Sequence, residues 1–160
     1  MQTILATIIA VFAATFIYAQ TSDAETDALV NLLGVQKREA MGRLVNVTAK
    51  DSVAFWKIYD QYLKENKETA KYRVKLYETT AMSYNNMTPA VADSLAKKYF
   101  VNRIEQEKSL ESYYNKVKAA TNAVVAFEFY QAEVYLLTQI RASIMQQIPT
   151  YGELERAKRK

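Results

Sequence analysis

Only three glycines and two prolines punctuate the 160 residues of this chain. Tight reversals need residues that accept positive φ or preset it, which argues against a β-rich fold with many turns. Alanine, lysine, glutamate and leucine are plentiful, and these favour helix. The expectation is an all-α fold of long helices, broken only where the few turn-formers stand.

The breaks can be placed. Leu29, Leu32 and Leu33 share a helical face, Gly34 predicts an interruption, and Lys37–Asn46 forms a second piece carrying Met41, Leu44 and Val45. Thr48 with Asp51 three residues on reads as an N-cap followed by an acidic first turn, with Val47 placed for a hydrophobic staple. No breaker follows until Asn85-Asn86, which predicts one helix of about 37 residues, roughly 55 Å long. Thr88-Pro89 opens the next helix as N-cap and first helical residue. Thr121-Asn122 ends it, and a last helix runs from Ala123 to Gln147, stopped by Ile148-Pro149. Asn46-Val47-Thr48 and Asn86-Met87-Thr88 match a glycosylation sequon, but their place before two helices favours caps. Residues 20–149 form one helical domain, and 150–160 are expected to be a basic, disordered tail.

The apolar stripe of the long helix, Phe55, Ile58, Tyr59 and Tyr62, fades into Asn66, Thr69 and Arg73. The following helix dips in the same way at Asn102 and Gln106, between Tyr99 and Leu110. In an antiparallel hairpin turning near Met87, facing residue numbers sum to about 174. Asn66 then faces Lys108, Tyr72 faces Asn102, and the two dips coincide as a polar waist. Buried polar groups must be paired, so the pattern favours long antiparallel hairpins, extended or cradle-like, over a compact bundle.

Met1–Ala19 carries no charged side chain, and Thr21-Ser22-Asp23-Ala24-Glu25 follows at once. This reads as a signal peptide cut after Ala19, hence an exported, periplasmic protein. The other reading is an uncleaved inner-membrane anchor, since about eighteen apolar residues reach roughly 27 Å. No lysine or arginine precedes the run, and with no cysteine in the chain neither a disulfide nor a lipidated N-terminus is available.

The chemistry is sparse. With no histidine, the commonest general base and metal ligand is missing. Glu105 with Glu107, and Glu128 with Glu133, lack the spacing that stacks groups on one helix face and read as solvated. No phosphate-binding, calcium-binding or dinucleotide motif is present. No catalytic residue, cofactor or metal is expected, and the protein reads as a non-enzyme. The net charge of +4 is concentrated at Arg156, Lys158, Arg159 and Lys160. A weak contact of that tail with an anionic membrane surface is one reading, and a solvated end is the other. Mixed charge argues against nucleic acid.

Twelve tyrosines and six phenylalanines are many for a helical chain. Core packing accounts for most of them. Phe55, Trp56, Tyr59 and Tyr62 are candidates for contact with a client or partner. Gln131 and Arg141 share a face of the last helix with Phe127, Val134, Leu137 and Ile144, and are candidates for a buried polar contact.

Asn46-Val47-Thr48-Ala49-Lys50-Asp51, then Phe55-Trp56 and Ile58-Tyr59, resemble the Spy/CpxP (LTxxQ) group of exported helical proteins of Gram-negative envelopes. Met87-Thr88, Phe129-Tyr130-Gln131-Ala132-Glu133 and Ile148-Pro149 continue the resemblance, which spans roughly Lys37 to Pro149. The family's Leu-Thr-x-x-Gln stands here as Val47-Thr48-x-x-Asp51. The resemblance implies long helical hairpins in a thin curved cradle, acting as an ATP-independent chaperone or an envelope-stress sensor. Two functional readings follow. One is a chaperone-like or stress-response protein holding apolar segments of unfolded clients. The other is a partner-specific structural or regulatory envelope protein docking through one helical face. A homodimer would cover apolar stripes left by thin hairpins.

Overall fold

The computed structural model describes residues 22–159, so the expected signal or anchor segment at 1–19 lies outside the described residues. These residues form α1 (Asp23–Leu44), α2 (Ala49–Glu65), α3 (Lys67–Ser83), a 3₁₀ turn (Tyr84–Asn86), α4 (Pro89–Ala120), α5 (Ala123–Gln147) and α6 (Tyr151–Lys158). The all-α class and the antiparallel hairpins are as the sequence leads one to expect. At 32 residues, α4 is about 48 Å long.

The helix starts follow side-chain chemistry. The Thr48 hydroxyl accepts from the Asp51 amide and the Thr88 hydroxyl from the Val91 amide, with Pro89 at the first helical position. Asn122 Oδ1 accepts from the amides of both Val124 and Val125 at 2.9 and 3.1 Å. Each cap occupies amides that a helix start leaves without a partner.

Three local expectations need correction. Gly34 does not interrupt α1, which runs through it from a Ser22–Glu25 capping box. A mid-helix glycine costs about 1 kcal/mol, less than the packing on either side of it supplies. The long second helix is broken at Asn66 (φ −88°, ψ 2°). There Asn66 Nδ2 donates to the Tyr62 carbonyl at 2.9 Å, a side chain competing with the backbone for its own helix. The tail is helical over Tyr151–Lys158: Thr150 and Glu153 form a reciprocal capping box that opens α6, and Tyr151 packs on Tyr84 with ring centroids 5.7 Å apart.

The register is regular. Along α1, Gly42 lies against Trp56, Arg38 pairs with Asp60, Asp27 with Lys71, and Asp23 with Lys75. These rungs keep one antiparallel spacing across the Asn66 break. Tyr62 meets Tyr113, Arg73 meets Asn102, and Tyr77 meets Tyr99, which sets α4 antiparallel to α2 and α3. Lys37 reaches Glu133 and the Asn46 amide reaches Glu128, which closes α5 onto α1.

One core joins α1, α2, α4 and α5 through Met41, Phe55, Tyr59, Tyr62, Leu110, Tyr113, Val117 and Phe129. A second, smaller core at the other end holds Leu33, Tyr77 and Ile144. Each fully buried large apolar side chain contributes about 1.5–3 kcal/mol, so the first core carries most of the stability. The polar waist lies between the two.

Candidate functional site

The aromatic stripe of α2 is core. Phe55 stacks on Tyr59, and Tyr59 on Tyr62, with centroids 6.2 and 6.0 Å apart. Phe129 of α5 meets all three edge-on. Phe55 and Tyr59 are fully buried and Tyr62 nearly so, which corrects their expected role as client contacts. Their spacing turns them inward, and Phe129 fills the face they present. Trp56 is half-buried under the Arg38 guanidinium, 4.6 Å from its ring, and Arg38 is held by two hydrogen bonds to Asp60.

Glu133 is the polar centre of this core. Expected on a solvated face, it is fully buried. Its carboxylate accepts from Lys37 Nζ, from the Tyr62 hydroxyl at 2.8 Å and from the Tyr59 hydroxyl at 3.4 Å. A buried charge requires a partner and filled lone pairs, and this arrangement supplies both. Burial, followed by the Glu133 charge, raises both tyrosine pKa values well above normal.

Gln131 is exposed and Arg141 half-buried, so the expected polar contact does not form as a pair. The inward face of α5 carries Phe129, Ala132, Glu133 and Leu136 instead. Apolar residues surround this helix on more than one side, so spacing alone does not say which side is inner. The consequence is an apolar outer face. Phe127 is 52% exposed and Tyr130 40%, and across from them on α4 Ile104 is 54% exposed. With Tyr114, these line an open groove of about 740 Å³ between α4 and α5, whose rim carries Arg103, Lys108, Glu107 and Glu111. Phe100 and Val101 extend the exposed apolar surface along α4, and Val124 along α5.

The waist is as polar as the sequence leads one to expect, with the register shifted by one position. Asn102 accepts from Arg73 Nε at 2.9 Å and donates to the Thr69 carbonyl at 3.3 Å. Tyr72 and Lys108, expected to face Asn102 and Asn66, are exposed. Asn102 and Gln106 are both buried. Nearby, the Tyr99 and Thr80 hydroxyls share a 2.8 Å hydrogen bond.

Among the described residues, no three histidine, cysteine, aspartate or glutamate side chains stand close enough to hold a metal ion, and no helix is long and apolar enough to cross a membrane. Comparison with family models, curated proteins and solved structures gives no match for this chain.

Proposed function

We propose that this is an exported, non-enzymatic helical binding protein that holds apolar segments of client proteins without ATP. The observation that carries this reading is the exposed apolar groove formed by Ile104, Phe127 and Tyr130 between α4 and α5. Contiguous apolar surface rimmed by charge is the usual mark of a protein-docking face. The long antiparallel hairpins suit a cradle-like holder, since they spread that surface along the helix axes. Periplasmic location rests on the uncharged run Met1–Ala19.

A second reading is a partner-specific envelope protein that docks one helix or extended segment. The mixed charges of Arg103, Glu107, Lys108 and Glu111 around the groove favour it, because fixed charges select among partners. Light scattering from two unrelated denatured clients, followed with the full-length protein and no ATP, separates the two. Suppression of both aggregations near equimolar ratio supports the holding reading. Absence of any effect on either removes it and leaves the single-partner reading, which a defined complex from envelope extract would establish.

A further inference from the structure

Two cavities flank the waist. One, of about 350 Å³, is bounded by α1, α2, α3, α4 and α5, with Leu33, Leu63, Val74, Leu137, Ile140 and Ile144 in its walls. The other, of about 390 Å³, lies beside Tyr77, Tyr99, Phe100, Met145 and Ile148. Arg73 and Gln106 belong to the walls of both. Each volume lies within the range of about 300–1,000 Å³ in which small ligands bind.

The charge on these walls has one sign. The first cavity is lined by Lys37, Lys64, Lys67 and Arg73, the second by Arg73, Arg103 and Arg141, and neither by any aspartate or glutamate. Lys37 has Glu133 as its counter-charge, and Lys67 lies 3.9 Å from Asp27. Arg73 differs. Its Nε bonds the neutral Asn102 amide oxygen, and among the described residues no carboxylate forms an ion pair with Arg73 or Arg141. A guanidinium withdrawn from water requires a counter-charge or a full set of acceptors. Burial lowers the Arg73 pKa from its usual value and the Arg141 charge adds to it, against an opposing pull from Tyr77, Tyr62 and Glu133. No carboxylate therefore touches the guanidinium where the second cavity's wall is most polar, and Tyr77, Met145 and Ile148 make the wall beside it apolar.

We propose that the second cavity binds a single-chain amphiphilic anion, its carboxylate or phosphate head on Arg73 and Arg141 and its alkyl chain against Tyr77, Met145 and Ile148. The planar fork of arginine suits either head group. Gln106, buried at the junction, offers an amide to the same head. This site is separate from the outer groove and stands or falls independently of client holding.

The test is calorimetric titration of the full-length protein with dodecanoate, dodecyl phosphate and dodecan-1-ol, each kept monomeric. One anion per chain is expected, with one or both anions bound at least about tenfold more tightly than the alcohol. Acetate and inorganic phosphate, which lack the chain, should bind far more weakly. Arg73→Met should remove the preference for anion over alcohol, and Ile148→Trp should weaken both by filling the cavity. Circular dichroism and a thermal melt check folding, and Arg141→Met, at a half-buried position, replaces Arg73→Met if the latter does not fold. Equal affinity for alcohol and anions, or unchanged anion affinity in the folded arginine variants, would overturn the proposal. Equally tight binding of the chainless anions would overturn it too.

Discussion

The Tyr62 hydroxyl donates to Glu133 Oε1 at 2.8 Å, between residues 71 positions apart in the chain. That bond ties α2 to α5 inside the larger core, and Lys37 brings in α1 at the same carboxylate. Removing one partner of a buried ion pair leaves the other uncompensated, at a cost of about 3–5 kcal/mol. Glu133→Ala should therefore destabilise the fold by that order. Joint replacement, Glu133→Leu with Lys37→Met, should recover most of the loss. Urea midpoints of Glu133→Ala and the double variant check this, and a double variant no more stable than Glu133→Ala would refute it.

Alkaline stability follows from the same tyrosines. Burial and Glu133 raise the pKa values of Tyr59 and Tyr62 in the folded state, whereas unfolded tyrosine ionises near pH 10. Their contribution is fully present below about pH 10 and is lost as pH rises toward the folded values. The slope is at most about 1.4 kcal/mol per pH unit for each group. Tyr99, pushed up to about 12 by its own burial, acts in the same direction. Unfolding measured from pH 9 to 11.5 should show stability falling above 10, and Tyr62→Phe should flatten the fall while costing about 1–3 kcal/mol at neutral pH. The same slope in Tyr62→Phe would assign the effect to other groups.

The outer groove can be altered without touching the core. Phe127→Ser with Ile104→Ser changes two side chains that are each more than half exposed. Surface changes of this kind alter stability by about 0.5 kcal/mol or less. Client holding should drop severalfold while the melting temperature barely moves. Retained holding would place the client elsewhere.

Gly34 gives a prediction of opposite sign. An added Cβ meets nothing within 4 Å, and the residue is helical. Gly34→Ala should stabilise the fold by about 0.5–1 kcal/mol. The equivalent change at Gly42 brings its Cβ to 3.5 Å from the Trp56 ring, an ordinary contact that adds a little packing. Thermal melts of both variants check the pair, and a lower midpoint for Gly34→Ala would contradict the open space seen there.

Much of the fold is legible because caps are local chemistry. Thr48, Thr88 and the Ile148-Pro149 stop carry their meaning within four residues. Gly34 was misleading because propensity is weak beside tertiary packing. Asn66 broke a helix through a bond to its own preceding turn, which spacing alone does not reveal. Glu133 reads as a surface residue until Tyr59, Tyr62 and Lys37 arrive from two other helices. Phe127 and Phe129 are equally apolar in the sequence, and only the packing of α5 decides that one is core and the other surface. The waist was legible because two helices lost their stripe at matching positions, but its arginines acquire a shared cavity only once α5 is in place.

Splitting the apolar interior into a large core and a small one makes the two ends of the helices unequal in their resistance to opening. The end built on Leu33, Tyr77 and Ile144 has little to hold it closed, so its amides should exchange through local openings well below the free energy of global unfolding. Those residues also line the waist cavities, so the walls around Arg73 should open to exchange before the Glu133 end does.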